Sequence, residues 1–159
     1  MIKFLDLHKI NARFKDEFQT NFNSFLDSGH YILGKNVSNF ESEFAEYCGT
    51  DYAIGTSNGL DALTLIFKGF IELNKLSIGD EVIIPANTYI ASIISVINSG
   101  LKPVFVEPNI NTFNIDASKI EAVITPKTKA ILIVHLYGQL CSDLVYEVAK
   151  NNNLLLIED

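Results

Sequence analysis

Large apolar residues in the first fifty positions recur every three or four residues, as they do on one face of an amphipathic helix. The spacing predicts one helix over residues 12–27 and a second over residues 37–48. Gly29 and Gly49 follow these segments, at the position where a left-handed residue commonly ends a helix. We therefore expect residues 1–49 to form an N-terminal helical segment. The aromatic residues of the first stripe are Phe14, Phe18, Phe22 and Phe25.

Short, continuous apolar runs alternate with helical patterns over residues 50–159. Strands that are buried on both faces have such runs, as in a parallel sheet covered by helices. Repeated β-α-β units with right-handed crossovers therefore predict an α/β fold, an α-β-α sandwich with a mainly parallel sheet. The predicted strands are residues 52–55, 81–84, 103–106, 129–134 and 154–157. The predicted helices are residues 58–73, the segment between Asn87 and Gly100, the segment from Asp116 to about Val123, and residues 143–151.

Composition narrows the class of protein. The chain is 48% hydrophobic and 19% charged, which predicts a packed core, and its net charge of -7 argues against nucleic acid as a partner. Cys48 and Cys141 lie far apart without metal-ligand spacing, so we expect two reduced, semi-buried thiols and neither a disulfide nor a metal site. The first residues lack the apolar core of a signal peptide, and no run of 18 apolar residues exists. These features predict a cytoplasmic protein without a membrane partner.

The residues that follow the predicted strands are the candidates for chemistry, because ligands of open α/β sheets bind beyond the carboxyl ends of the strands. Ser57, Asn58 and Gly59 open a helix there, where free N–H groups and the helix dipole favour an anion. The alternative is a plain N-cap by Ser57 with a tight turn; Asn87 and Asp116 are the N-cap candidates of two later helices. No GxGxxG or Walker motif is present, so the sequence does not indicate a dinucleotide or P-loop site.

Three further strand-end residues have a functional and an ordinary interpretation. Tyr89, in the first turn of its helix, can stack on a flat heterocycle or be a core tyrosine. Asp159 can pair with a cationic ring nitrogen or cap a following helix. His135 is either a polar site residue or, as we favour, a histidine with partners at its strand end. A phosphate site, an aromatic ring and a carboxylate are together the parts that hold pyridoxal phosphate.

Motifs along the whole chain resemble those of the DegT/DnrJ/EryC1/StrS sugar aminotransferases, a family of pyridoxal phosphate-dependent enzymes with the type I aspartate aminotransferase fold. Within this family the sequence is most similar to transaminases that make dTDP-3-amino-3,6-dideoxyhexoses. Residues 50–159 would then be the first part of the cofactor-binding domain. The motifs that carry the resemblance are Phe4–Leu7, Ser28–Gly34, Ser57–Leu63, Gly79–Tyr89, Val134–Gln139 and Ile157–Asp159.

The resemblance implies a role for each matching residue. Ser57, Asn58, Gly59 and Leu60 would hold the cofactor phosphate. Tyr89 would stack on the pyridine ring, and Asp159 would pair with the protonated ring nitrogen. Family dimers build the active site from both subunits, and the residues expected near the substrate or behind the cofactor contacts are Tyr31, Gly34 and His135.

The resemblance also implies a reaction, the transamination of a dTDP-linked keto-6-deoxyhexose with glutamate as amino donor. Such homodimeric enzymes serve deoxyaminosugar synthesis for O-antigen or S-layer glycans. The Schiff-base lysine of the family lies well beyond the position of Asp159, and no lysine of this chain matches it. We therefore expect residues 1–159 to be an N-terminal piece that contains no catalytic residue and is inactive alone. The alternatives are a sugar dehydratase, as in relatives in which another residue replaces the lysine, and a non-catalytic remnant or interaction module.

Overall fold

The computed structural model describes residues 3–159, which form two compact units divided between Gly55 and Thr56. No helix within this described range is long and apolar enough to cross a membrane. The first unit is helical, and the second contains the sheet. The domain boundary that the sequence predicts after residue 49 stays a prediction.

The first unit contains three helices, α1 (Leu7–Asn11), α2 (Lys15–Ser28) and α3 (Lys35–Cys48), with a 3-10 turn at Ala12–Phe14. The predicted helix over 12–27 is therefore wrong at its start. Helical structure begins earlier because the carboxylate of Asp6 accepts a hydrogen bond from the backbone N–H of Lys9, at 3.1 Å, and caps α1.

Two glycines end the longer helices of this unit as the sequence predicted. Gly29 and Gly49 have φ values of 65° and 67°, in the left-handed region that favours glycine. The aromatic stripe of α2 is less buried than its spacing suggests. Phe18 and Phe22 are exposed, and only Phe25 is half-buried, with its ring centroid 5.0 Å from that of Tyr31.

The second unit is built on a parallel sheet of four strands in the order β2-β1-β3-β4. This arrangement confirms the predicted fold class. The chain leaves β1 for β2 on one side and later continues through β3 to β4 on the other, so the strand order reverses between β1 and β3. The strands are β1 (Glu81–Pro85), β2 (Lys102–Val106), β3 (Thr128–Ile133) and β4 (Leu155–Glu158).

Helices cover both faces of the sheet, and alternate residues of each central strand pack on opposite sides. Val82 and Ile84 join the core beneath α4 (Gly59–Glu72) and α5 (Ile90–Asn98), while Ile83 joins the core on the other face. That second core contains residues of α6 (Ala117–Ile120) and α7 (Asp143–Asn151). Each fully buried valine, leucine or isoleucine contributes on the order of 2 kcal/mol, which explains why the strands are apolar throughout.

The predicted strand over residues 52–55 is wrong, because these residues have no sheet neighbour among the described strands. Side chains satisfy part of their backbone instead. The N–H of Gly55 donates to the carboxylate of Glu41 at 2.7 Å, and the hydroxyl of Thr50 donates to the carbonyl of Tyr52. Tyr52 and Ile54 are exposed, so burial does not favour an extended strand here.

Of the three predicted N-caps, one is confirmed. Asp116 accepts hydrogen bonds from the hydroxyl and the N–H of Ser118, and the hydroxyl bond is the main cause of its lowered pKa. Ser57 and Asn87 are not caps. Asn58 caps α4 in place of Ser57, and the side-chain amide of Asn87 donates to the carbonyl of Phe113 at 2.9 Å.

Candidate functional site

A cavity of about 570 Å³ lies at the carboxyl ends of the strands, within the second unit. It is bounded by segments that follow β1 and β3, which are the strands between which the strand order reverses, and this is where ligands of open α/β sheets bind. Its volume is in the usual range for small-molecule sites. The residues that line it are Asn58, Gly59, Leu60, Leu63, Thr88, Tyr89, Ile90, Ala91, Ile94, Val134, Leu136 and Asp159.

The N-terminus of α4 forms one wall of the cavity. The side-chain oxygen of Asn58 accepts a hydrogen bond from the N–H of Asp61 at 2.9 Å, and the backbone carbonyl of Asn58 accepts from the N–H of Ala62. Within residues 3–159, the N–H groups of Gly59 and Leu60 have no hydrogen-bond partner. These free donors and the helix dipole suit an anion. A Cβ atom on Gly59 would meet no protein atom within 4 Å, so the chain itself leaves the space beside this turn open.

Ser57 is close in sequence to this wall but does not line the cavity. Its hydroxyl donates to the carboxylate of Asp61, which also accepts from the side-chain amide of Asn58 at 3.1 Å. These two donors occupy the one acidic side chain in the first turn of α4. Ser57 therefore contributes by holding Asp61, and its expected phosphate contact stays a prediction.

Tyr89 supplies an aromatic side chain to the cavity. It stands at the N-cap position of α5, immediately before the helix, and not in its first turn as the sequence suggested. Its side chain is 78% exposed, which excludes the core-tyrosine interpretation within the described chain. An exposed ring on a fixed helix start can stack against a flat ligand.

Asp159 supplies a carboxylate to the cavity. Its backbone extends the pairing of β4 with β3, because its N–H donates to the carbonyl of Ile133 at 2.9 Å. One carboxylate oxygen, Oδ2, accepts a hydrogen bond from the hydroxyl of Ser92 at 2.5 Å. Among residues 3–159, no group donates to the other oxygen, Oδ1. A ligand cation can therefore pair with this oxygen.

His135 lies outside the cavity lining and has one partner in the segment before α7 and one at the end of β4. Its Nδ1 accepts a hydrogen bond from the N–H of Cys141 at 3.1 Å, so the neutral ring carries its hydrogen on Nε2, 3.6 Å from Glu158. Glu158 also accepts from the hydroxyl of Tyr146 at 2.8 Å, and this hydrogen bond is the main cause that raises the pKa of Tyr146 to about 12. These contacts are those of a histidine with partners at its strand end.

The two cysteines differ from the expected pair of semi-buried thiols. Cys48 is exposed at the end of α3, whereas Cys141 is buried and its thiol donates to the carbonyl of Val134. Burial is the main cause that raises the pKa of Cys141. No cluster of histidine, cysteine or carboxylate side chains within residues 3–159 could hold a metal ion.

Tyr31 and Gly34 belong to the first unit, where they line a separate cavity of about 360 Å³ between the end of α2 and the start of α3. The hydroxyl of Tyr31 donates to the carbonyl of Leu26 at 3.1 Å. A Cβ atom on Gly34 would lie 3.2 Å from the carbonyl oxygen of His30, so the close turn favours glycine. Their expected place near a substrate stays a prediction.

Sequence reasoning missed Thr88 and Ser92. Thr88 lines the cavity next to Tyr89, and the buried Ser92 reaches Asp159 from the first turn of α5. The available signal was the pair Ser92 and Ser95 in an otherwise apolar helix, where both share the buried face with Val96. A polar residue at such a position requires a partner, which the sequence alone does not identify.

Comparison with known proteins agrees with this geometry. The model of the DegT/DnrJ/EryC1/StrS aminotransferase family matches residues 12–159. A dTDP-3-amino-3,6-dideoxy-alpha-D-galactopyranose transaminase from Aneurinibacillus thermoaerophilus is 54% identical over 100% of this chain and 43% of its own length.

Two solved structures have the same fold over the matched region. DesV of S. venezuelae, in complex with a ketimine intermediate, has a TM-score of 0.89 and 40% identity over 99% of this chain and 42% of its own. A GDP-4-keto-6-deoxymannose-3-dehydratase with a trapped PLP-glutamate geminal diamine has a TM-score of 0.80 and 32% identity, covering 86% of this chain and 36% of its own. The chain thus spans about two fifths of the length of the curated relatives it matches.

Proposed function

The chain belongs to the DegT/DnrJ/EryC1/StrS aminotransferase family, and we propose that the complete protein transfers an amino group to a nucleotide-linked keto-deoxysugar with pyridoxal phosphate as cofactor. The proposed acceptor is a dTDP-linked keto-6-deoxyhexose, in line with the 54% identity to a transaminase of that class. The proposed donor is glutamate. We further propose a cytoplasmic homodimer that works in deoxyaminosugar synthesis for an O-antigen or S-layer glycan.

One observation carries the proposal: a single cavity joins free helix N–H groups, an exposed aromatic ring and a carboxylate with an unpaired oxygen. These three groups match the phosphate, the ring face and the ring nitrogen of pyridoxal phosphate. The open space beside Gly59 and the volume of the cavity also fit that cofactor.

When bound, pyridoxal phosphate supplies an electron sink for the bonds of the amino-bearing carbon. In the proposed site, the N–H groups of Gly59 and Leu60 bind the phosphate, and Tyr89 orients the ring by stacking on it. The carboxylate of Asp159 holds the proton on the ring nitrogen, which keeps the ring cationic. The apolar side chains of Leu63, Ile90 and other lining residues exclude water around these polar groups.

The described residues do not supply the amine that this chemistry requires. No lysine within residues 3–159 lines the cavity. Proton transfer at the reacting carbon needs such an amine at the cofactor carbonyl. We therefore propose that this lysine belongs to the part of the complete protein outside residues 1–159.

Replacing Tyr89 by Ala should weaken binding of the cofactor to the complete protein by about 1 kcal/mol, or about 5-fold, because a stacking contact is lost. The measurement is a titration of the apo protein with pyridoxal phosphate. Tyr89→Phe is the matched control, because it keeps the ring and removes only the hydroxyl. An affinity for Tyr89→Ala equal to that of the wild type would show that Tyr89 does not contact the cofactor.

The direct test of the proposed function uses the complete protein, pyridoxal phosphate, isotopically labelled glutamate and a dTDP-linked keto-6-deoxyhexose. We expect 2-oxoglutarate to form and mass spectrometry to find the label as an amino group on the sugar. UDP-linked and GDP-linked keto-sugars serve as controls for the nucleotide. A protein that binds the cofactor but transfers no label to any of these sugars would contradict the proposal.

The same assay distinguishes a transaminase from a sugar dehydratase. The dehydratase is the second candidate because the chain is similar to a GDP-4-keto-6-deoxymannose-3-dehydratase. A dehydratase would remove a hydroxyl group from the sugar and leave no labelled nitrogen in the product. The identity of 32% to that enzyme, against 54% to the transaminase, makes transamination the better-supported reaction. A protein that does neither and binds no cofactor would be a non-catalytic remnant or interaction module.

A further inference from the structure

The hydroxyl of Ser92 departs from the usual behaviour of a serine in a helix. Such hydroxyls commonly bond back to a carbonyl three or four residues earlier. Two other buried serines of this segment do so: Ser95 donates to the carbonyl of Ser92 at 2.7 Å, and Ser99 donates to the carbonyl of Ser95 at 2.8 Å. Ser92 instead donates to the carboxylate of Asp159, which is 67 residues away in sequence.

The donors and acceptors of Thr88, Ser92 and Asp159 fix the direction of the hydrogen bonds between them. A serine hydroxyl has one hydrogen, and an ionised carboxylate can only accept, so the hydrogen of Ser92 belongs to the bond with Oδ2 of Asp159. In the 2.8 Å contact between Ser92 and Thr88, the hydroxyl of Thr88 is then the donor. The direction is therefore from Thr88 to Ser92 to Asp159, with each hydroxyl dipole pointing toward the carboxylate.

Burial makes this chain of hydrogen bonds a fixed support. Ser92 is fully buried, so its hydroxyl has no water to bond to if it leaves Asp159, whereas Asp159 itself is exposed to the cavity. The backbone of Asp159 is already held by its bond to Ile133. The bond from Ser92 therefore fixes the remaining freedom, the rotation of the carboxylate, and leaves Oδ1 for a ligand.

We infer that Ser92, supported by Thr88, is a positioning residue that holds the carboxylate of Asp159 in the orientation that receives the ring nitrogen of the cofactor. This inference rests on the proposed function. Neither hydroxyl is assigned a direct contact with the reacting atoms. Both act through Asp159, so their effect should depend on the presence of the carboxylate.

The test measures binding of pyridoxamine phosphate to the complete apo protein by calorimetry, because this form of the cofactor is held without a covalent bond. Ser92→Ala should weaken binding by roughly 10-fold, the loss expected for a hydrogen bond to a charged group. Ser95→Ala is the matched control, with the same substitution and burial on the same helix, and should change affinity by less than about 2-fold.

A double-mutant cycle separates positioning from a general structural effect. In the Asp159→Asn background, Ser92→Ala should cause little further loss, because its partner charge is already gone. Full additivity of the two losses, or an unchanged affinity for Ser92→Ala alone, would overturn the inference. If thermal unfolding shows that Ser92→Ala does not fold, Thr88→Val replaces it in the same cycle, with an expected loss of roughly 3-fold and the same criterion of non-additivity.

The cycle also distinguishes this inference from the proposed function. Asp159→Asn with wild-type affinity for pyridoxamine phosphate would contradict the proposed cofactor site itself. Weakened binding in Asp159→Asn together with unchanged binding in Ser92→Ala would reject only the positioning role.

Discussion

Replacing Asp159 by Asn in the complete protein should lower the rate of transamination by about 100- to 1,000-fold and leave the fold intact. A carboxylate about 4 Å from a protonated ring nitrogen is worth on the order of 4 kcal/mol at an effective dielectric constant near 20. An amide of the same shape lacks the charge that holds this proton. It keeps an oxygen for the hydroxyl of Ser92, so the packing around residue 159 is preserved.

The control for this variant is Glu158→Gln, one residue earlier on β4. Glu158 bonds to Tyr146 and lies outside the cavity lining, and a glutamine oxygen can still accept that bond. We expect its turnover to stay within about 3-fold of the wild type, since a neutral hydrogen bond replaces a charged one away from the cofactor. Initial rates of 2-oxoglutarate formation compare the two variants. Near-wild-type turnover in Asp159→Asn would remove Asp159 from the proposed mechanism.

The polypeptide of residues 1–159 should show no transamination at all, even when it is folded and supplied with pyridoxal phosphate. The physical reason is that no lysine within residues 3–159 lines the cavity, so no amine is placed at the cofactor carbonyl. The measurement is transfer of labelled nitrogen from glutamate to the keto-sugar, with circular dichroism to establish that the polypeptide is folded. Turnover above the protein-free background would contradict the prediction.

A second experiment identifies the lysine to which the cofactor is attached in the complete protein. After borohydride reduction of the pyridoxal phosphate complex, peptide mass spectrometry should find the reduced cofactor attached to a lysine outside residues 1–159. Stoichiometric attachment of the cofactor to a lysine inside this range would show that residues 1–159 supply the amine themselves.

Local patterns in the sequence predicted most of the second unit. The run of apolar residues at β3 identified a strand buried on both faces, and the predicted helix Asp143–Asn151 has the same bounds in the structure. Both features depend on residues that are close in sequence, which is why periodicity and composition detect them. One rule about parallel sheets was enough to select residues of the cavity, because the carboxyl ends of parallel strands lie at one edge. The residues chosen in this way that line the cavity are Tyr89 and Asp159. Asn58 and Gly59 also line it, but they were chosen as followers of the predicted strand 52–55, which the structure lacks, and Leu60 was chosen through the resemblance.

The N-cap of α4 and the state of residues 52–55 depended on which of several possible hydrogen-bond partners is used, and a sequence pattern does not decide that. Ser57 and Asn58 are both good N-caps. In the structure Asn58 caps α4 by accepting from the N–H of Asp61, while the hydroxyl of Ser57 donates to the carboxylate of Asp61. The apolar residues 52–55 have the composition of a strand, yet they pair with none of the described strands. A strand forms only with a partner, and the partner is a property of the tertiary fold.

The sequence by itself determined the fold class, the family and the types of side chain at the strand ends, because each follows from short-range pattern or from motif. The tertiary structure decided which of those side chains share a cavity and which do not. It placed His135 outside the cavity lining, where its Nδ1 accepts from the N–H of Cys141 and its Nε2 lies 3.6 Å from Glu158, and it joined Ser92 to Asp159 across 67 residues. A hydrogen bond depends on distance and direction in space, and for groups so far apart in sequence both are set only when helix and strand pack together.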